Sequence, residues 1–239
     1  MQASVFPKRM RILSGSALKA LALFAMLVDH GAICFRPLLE KVLFTAFHFR
    51  FTPYFLLRGF GRIGFPIFCF LLAEGFRHTR SKQRYALNLR VFSFLSEIPY
   101  DLFNSGELQT TRQNVFFTLL LGFLGIWMLS RFREMPLRSA LAVIALFVCA
   151  YYLKADYGWR GYLLILLLYA LAEQPVLQLF AGVALLSWPA GVALAFPLLN
   201  LYNGKRGFVK GSLAKYFFYG FYPVHLCILW LLHLHFFGY

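Results

Sequence analysis

Asp29 and His30 stand in a place that apolar sequence reserves for itself. They end a run of nine apolar residues, 20–28, and apolar sequence resumes from Gly31 to Phe35. As a helix rising ~1.5 Å per residue, the run puts Asp29 about 15 Å beyond Lys19, past the mid-depth of a bilayer. A charged acid there costs at least ~2.5–3.5 kcal/mol on insertion scales, which makes such a residue a functional candidate by default. An imidazole at that depth suits general acid–base chemistry, and a carboxylate suits an ion pair. Successive helical residues point about 100° apart, so Asp29 does not orient His30, and each needs a partner at i±3, i±4 or on another helix. Ala25 and Ile33, the i±4 neighbours of Asp29, are apolar. Its partner therefore belongs to another span, with Arg62 the first candidate. Cys34 follows His30 by four residues on the same face, a spacing at which an acyl-cysteine relay could begin, although a packing thiol is the simpler reading.

The rest of the chain must hold that pair in lipid. The 239 residues are 60% hydrophobic and 14% charged, against about 25% charged in a soluble domain. Apolar runs of span length predict an all-α, polytopic transmembrane helical bundle of about eight spans, a single domain over 1–239. Spans are expected near 16–35, 58–76, 85–103, 114–130, 138–153, 160–172 and 214–237. The stretch 174–201 is too short for two full crossings. It is read as two half-helices meeting at Ser187-Trp188-Pro189-Ala190-Gly191. Between the first two spans, 36–57 carries Phe47-His48-Phe49-Arg50-Phe51 and is expected to lie in the interface as a helix or a lid.

The net charge of +15 invites a nucleic-acid reading, but the placement of the charge opposes it. Sixteen of the 24 Lys and Arg fall in four short segments, up to Lys19 and within 77–90, 131–138 and 205–215. That is the positive-inside pattern, which places those segments and the N-terminus in the cytoplasm; no groove for a duplex is indicated. The basic N-terminus ahead of an apolar run lacks a small-residue cleavage site and reads as a retained first span. Cys34, Cys69, Cys149 and Cys227 sit in apolar runs without a CxxC pair, so neither a metal nor a disulfide framework is expected. The string Gly59-Phe60-Gly61-Arg62-Ile63-Gly64 matches a dinucleotide fingerprint in letters only. It opens an apolar helix, where small residues serve close helix packing.

With this orientation most buried polar groups sort to the outer half: Asp29, His30, Arg62, Glu97, Asp101, Asn114, Tyr157, Gly158 and Arg160. His225 falls near the midplane, after Tyr222-Pro223, and Glu74 falls on the inner side. The acids Asp29, Glu97 and Asp101 face the cations Arg62 and Arg160. Convergence of this kind predicts one site.

The ordered blocks LKALALFAMLVDHGA, RGFGRIGFPIFCFLLAEGFRHTR, LSEIPYDLFN, NVFFTLLLG, YGWRGYLLILLLY, LYNGKRG and YFFYGFYPVHL resemble the TraX family. The best-known activity of that family is N-terminal acetylation of F-type conjugative pilin, and it is similar to membrane acyltransferases that use acyl-CoA. The resemblance implies an inner-membrane acetyltransferase that carries acetyl from cytosolic acetyl-CoA to an amine of a pilin-like acceptor. It marks Asp29, His30, Arg62, Glu74, Glu97, Asp101, Asn114, Tyr157, Gly158, Arg160 and His225 as motif positions. His30 is then expected to be the general base, with Asn114, Arg160 or Tyr157 as oxyanion donors. Glu74, Arg77, Lys205 and Arg206 are expected on the donor side, where phosphates would meet the basic loops. Two rival readings use the same residues: a proton-coupled transporter and a non-catalytic subunit of pilus assembly.

Overall fold

The computed structural model describes residues 4–46, 49–109, 111–187, 189–209 and 211–238, and for residues 46, 49, 189 and 212 the backbone alone. In chain order the elements are α1 (Gly15–Cys34), α2 (Arg36–Leu39), β1 (Phe44–Ala46), β2 (Phe49–Phe51), α3 (Pro53–Gly61), α4 (Gly64–His78), α5 (Lys82–Leu95), α6 (Glu97–Ser105), α7 (Val115–Arg131), α8 (Pro136–Leu153), α9 (Gly158–Ala170), α10 (Pro175–Leu185), α11 (Pro189–Asn200) and α12 (Gly211–Phe237). Among the described residues, four helical stretches are long and apolar enough to cross a membrane: Gly15–Cys34, Pro53–His78, Pro136–Leu153 and Leu213–Phe237. Val115–Arg131, Gly158–Ala170, Pro175–Leu185 and Ala190–Asn200 are apolar but shorter, so four of the about eight expected spans have the length to cross alone. The chain is an all-α transmembrane protein.

Polar caps start the helices. Ser14, Thr52, Ser81 and Asn114 accept from the backbone N–H groups of Ala17, Phe55, Arg84 and Phe116, each satisfying a donor the first turn leaves free. Two expected spans are broken, and proline accounts for both breaks. Pro66 cannot donate to the carbonyl of Arg62, and the chain turns from α3 to α4 at Arg62-Ile63. Pro99 cannot donate to Leu95, and α5 gives way to α6 at Ser96.

The segment between the first two helices departs further from expectation. It holds the short α2 and an antiparallel pair, β1 with β2, in which Phe44 faces Phe51 with ring centroids 4.6 Å apart. Phe49–Phe51 pairs as a strand with Phe44–Ala46, where the mixed aromatic and basic character suggested an interfacial helix. Phe47 and His48, at the centre of that run, lie outside the described residues.

Residues 4–16 are stitched to 200–209. Ser4 Oγ donates to the carbonyl of Asn200 (2.6 Å), Leu13 N–H to Leu201 (2.9 Å) and Gly15 N–H to Lys205 (2.8 Å). The YNGKRG loop and the start of α1 thus share one end of the bundle, as the charge pattern required. Helices α10 and α11 both have their outer ends there, because Pro175 and Asn200 line one apolar cavity with Val5 and Phe6. They form a hairpin of half-helices, as read from the sequence. At its tip a Cβ on Gly191 would collide with the carbonyl of Gly59 in α3. Buried side chains such as Leu18, Phe70, Phe123, Tyr162 and Phe196 join the helices into one core. Leu137, Leu141, Ile144, Val148 and Tyr151 form an exposed stripe along α8 that suits lipid.

Candidate active site

Asp29 reaches α3 because Gly61 lets it: a Cβ there would overlap the Asp29 carboxylate. Arg58 and Arg62, one turn apart on the face that meets α1, both approach Asp29. Arg58 Nη1 donates directly to Asp29 Oδ2, and Arg62 Nε lies 3.9 Å from Asp29 Oδ1. The cross-helix partner was expected to be Arg62; the close contact is with Arg58, a residue the sequence reading did not single out. Asp29 Oδ1 and Arg62 Nε are buried without a hydrogen bond among the described residues. An unsatisfied buried donor beside an unsatisfied acceptor is costly, and it marks a place for a polar atom from outside the chain.

Arg62 continues the network by donating to Tyr157 Oη at 3.0 Å. Tyr157 lies flat on Phe65, with ring centroids 3.6 Å apart. Its backbone is left-handed, φ 62°, and Lys154 (φ 52°) and Gly158 (φ 43°) are left-handed beside it. A bulky residue in that region is strained and persists only where its surroundings over-determine it. Here they do. Asp156 Oδ1 accepts from Tyr157 N–H (3.1 Å), Thr118 Oγ1 donates to the Asp156 carbonyl (2.5 Å), and Asp156 N–H donates to Gln113 (2.8 Å). The Asp156 side chain is within electrostatic reach of Arg62, Asp29 and Arg58. Two guanidinium groups thus face two carboxylates. Asp156, missed from sequence, was legible only as the residue before the YGWRG block.

His30 meets His225 of α12, 195 positions away, with Nδ1 and Nε2 2.7 Å apart and rings stacked at 5.0 Å. The tautomers follow from the second contact. His225 Nδ1 lies 2.8 Å from the carbonyl of Phe221, which can only accept, so that nitrogen carries a hydrogen. A neutral His225 then accepts at Nε2 from His30 Nδ1–H. His30 Nε2 is left with a lone pair and no protein partner among the described residues. Phe103 and Tyr222 pack edge-on against the His30 ring at 5.6 and 6.2 Å.

The other predicted residues divide. Asn114 caps α7 through Oδ1, and its amide group donates to the Ser93 carbonyl (2.6 Å) and to Glu97 Oε2. Both amide hydrogens are engaged, which removes Asn114 as a ready oxyanion donor. Asp101 accepts from Gln109 N–H at 3.0 Å rather than from an arginine. Arg160 is exposed and lies over its neighbour Trp159 at 5.3 Å, away from the acids it was expected to neutralise. Cys34 Sγ donates to the Leu229 carbonyl (3.3 Å), as a packing thiol does. At the opposite end, Glu74 is buried and pairs with Arg77 (3.2 Å) and His78 (3.0 Å), while Arg77 also donates to the Tyr169 carbonyl (2.7 Å). Lys205 and Arg206 are exposed, their carbonyls spent on the start of α1.

The family model described as "TraX protein" matches residues 14–233. The chain belongs to the TraX family. Among curated relatives, the "Probable fimbrial assembly protein FimC, serogroup H1" of Dichelobacter nodosus is 30% identical, over 90% of this chain and 94% of its own length. No solved structure matches. The TraX match encloses both halves of the histidine pair, the two arginines and the Tyr157 loop.

Proposed function

We propose that this TraX protein is a membrane N-acetyltransferase of a pilus system, moving acetyl from acetyl-CoA to an amine of a pilin-like acceptor. The carrying observation is the His30–His225 pair. The Phe221 carbonyl fixes the tautomers so that His30 presents an unoccupied Nε2 inside an apolar bundle. That nitrogen takes the proton as the amine attacks the thioester carbonyl and the N–C bond forms. The C–S bond then breaks, and the leaving thiolate receives the proton back from His30. The thioester supplies an acyl group already activated for transfer. Tyr157 Oη accepts from Arg62 and keeps its own hydrogen uncommitted among the described residues, so it is the group suited to meet a developing oxyanion.

Phosphates fit the basic end of the molecule, where Lys205 and Arg206 are exposed and Lys19 lies in the field of Arg206. From Ser16 at that end to His30 is about 20 Å along α1, which the pantetheine arm would span. The clustering of cations at one end supports an inner-membrane orientation with the N-terminus in the cytoplasm. Reporter fusions at the N-terminus and in 131–136 should report the cytoplasm, and fusions in 106–113 the other side.

The test is His30→Gln, assayed by mass spectrometry of the amino terminus of a co-expressed pilin. Loss of acetylation with normal membrane levels of the variant is expected, and full acetylation would overturn the proposal. A second reading rests on the relative's name, which says assembly and not catalysis. A non-catalytic assembly subunit would tolerate His30→Gln and turn over no acetyl-CoA in detergent; a transporter would likewise show no turnover.

A further inference from the structure

A polar cavity lies outside the histidine pair, where α6 meets the loop that follows it. It has a volume of about 380 Å³ and is lined by Tyr100, Asp101, Asn104, Ser105, Gln109 and Arg112. Asp101 is buried, and its Oδ2 is held by Gln109 N–H at 3.0 Å. Its other oxygen has no partner among the described residues. Arg112, on the facing loop, is exposed and has no ion-pair or hydrogen-bond partner among them either. Asn104 spends its amide on the Tyr100 carbonyl (2.9 Å), leaving its own oxygen free. One cavity therefore presents an uncommitted anion and an uncommitted cation that do not neutralise each other, a dipolar pattern that calls for a dipolar ligand.

The cavity is also next to the reacting end. Tyr100 forms part of its wall and lies within electrostatic reach of Asp101, Arg112, Glu97 and Asp156. Tyr222, in turn, lies within reach of Tyr100 and Asp156 and packs against both His30 and His225. Phe103, one turn along α6 from Tyr100, touches the His30 ring.

We propose that this cavity is the docking site for the amino-terminal end of a peptide acceptor, with Asp101 taking an N–H of its primary ammonium and Arg112 taking the carbonyl oxygen that follows. This rests on the acyltransfer reading and gives it the specificity that the histidine pair lacks. His30 alone cannot tell a peptide amine from any other amine that reaches it. A sugar hydroxyl offers no charge to Asp101, whereas an α-ammonium with its adjacent carbonyl matches both groups.

The experiment uses the full chain in detergent, without acetyl-CoA. The probe is a short alanine-led peptide carrying a C-terminal fluorophore, compared with its N-acetylated twin by anisotropy. Wild-type protein should bind the free-amine peptide at least tenfold more tightly than the acetylated one, a difference of about 1.4 kcal/mol. Asp101→Asn keeps an oxygen for Gln109 N–H, and Arg112→Gln changes an exposed side chain, so both variants should fold. Each should lose most of that preference. Equal binding of the two peptides by wild type, or an undiminished preference in both variants, would overturn the docking site. Because binding is read without the donor, a protein that shows the preference yet never transfers acetyl would sink the acyltransferase reading and leave this one standing. Conversely, acetyl transfer with an unchanged peptide KM in both variants would sink this one alone.

Discussion

A histidine that removes a proton from an amine needs its lone pair pointed and its other nitrogen tied. In this protein the tie is another histidine, tied in turn to a backbone carbonyl. His225 is thus a positioning residue for His30. Under the proposed acetyl transfer, His225→Asn should lower the rate about 10²-fold with folding retained, measured as acetylated pilin per unit time. The four-member network around Asp29 answers to stability instead. The Asp29 and Arg58 side chains are only 10% and 14% exposed, so removing one partner leaves the other buried and unpaired. Asp29→Ala should cost about 3–5 kcal/mol, read as a lower thermal midpoint in detergent. Asp29→Leu combined with Arg58→Met should recover part of that loss, since an apolar pair leaves no stranded charge. At this scale the sequence was informative about cost and silent about geometry. Asp29-His30 declared itself because an apolar helix does not carry an acid freely. That Arg58 and not Arg62 makes the close contact depends on where α3 turns, and two positions 195 apart give no sign that they stack.

Among the elements, close approach decides what can change. A Cβ at Gly191 would meet the backbone of Gly59, which cannot step aside, whereas one at Gly220 in α12 would meet nothing within 4 Å. Gly191→Ala should therefore destabilise the protein by roughly 1–3 kcal/mol through overpacking. Gly220→Ala should be neutral or stabilise it by up to ~1 kcal/mol, as Ala replaces Gly inside a helix. Thermal midpoints in one detergent check both, and reversal of that order would contradict the packing of the α10–α11 tip on α3. The helix starts were readable from Ser14, Thr52, Ser81 and Asn114, and the paired half-helices from Pro189 and Gly191 together with the charge rule. The breaks at Arg62 and Ser96 were latent in Pro66 and Pro99. Apolar runs continue through both prolines, so hydropathy alone joined what the missing N–H separates. In the segment between α1 and α3, the helix half of the expectation gave way to the β1–β2 pair.

Across the whole molecule, the basic YNGKRG loop and the Asp29–His30 cluster sit toward opposite ends of α1. The stitching of 4–16 to 200–209 holds the basic loop at the start of α1. The Asp29 and His30 clusters lie past the middle of that helix. Asn203 closes the stitch, donating its N–H to the Leu13 carbonyl at 2.9 Å. Replacing Leu13 with proline removes the N–H given to Leu201. It should loosen this end by about 1–3 kcal/mol, seen as faster proteolysis after Arg9 or Arg11. The sidedness behind this arrangement came from sixteen cations in four segments; the stitch itself, formed largely by backbone atoms with help from Ser4, Ser16 and Asn200, was not legible in residue types.

The same stitch has a meaning for the order of synthesis. Helix α1 leaves the ribosome first, yet its start is hydrogen-bonded to a loop nearly two hundred positions later, and His30 finds its partner only when α12 arrives. Every partial chain along the way is therefore unfastened and lacks the stacked pair. A chain truncated before residue 225 lacks the partner of His30, so under the proposed acetyl transfer it should be inactive and be removed by quality control.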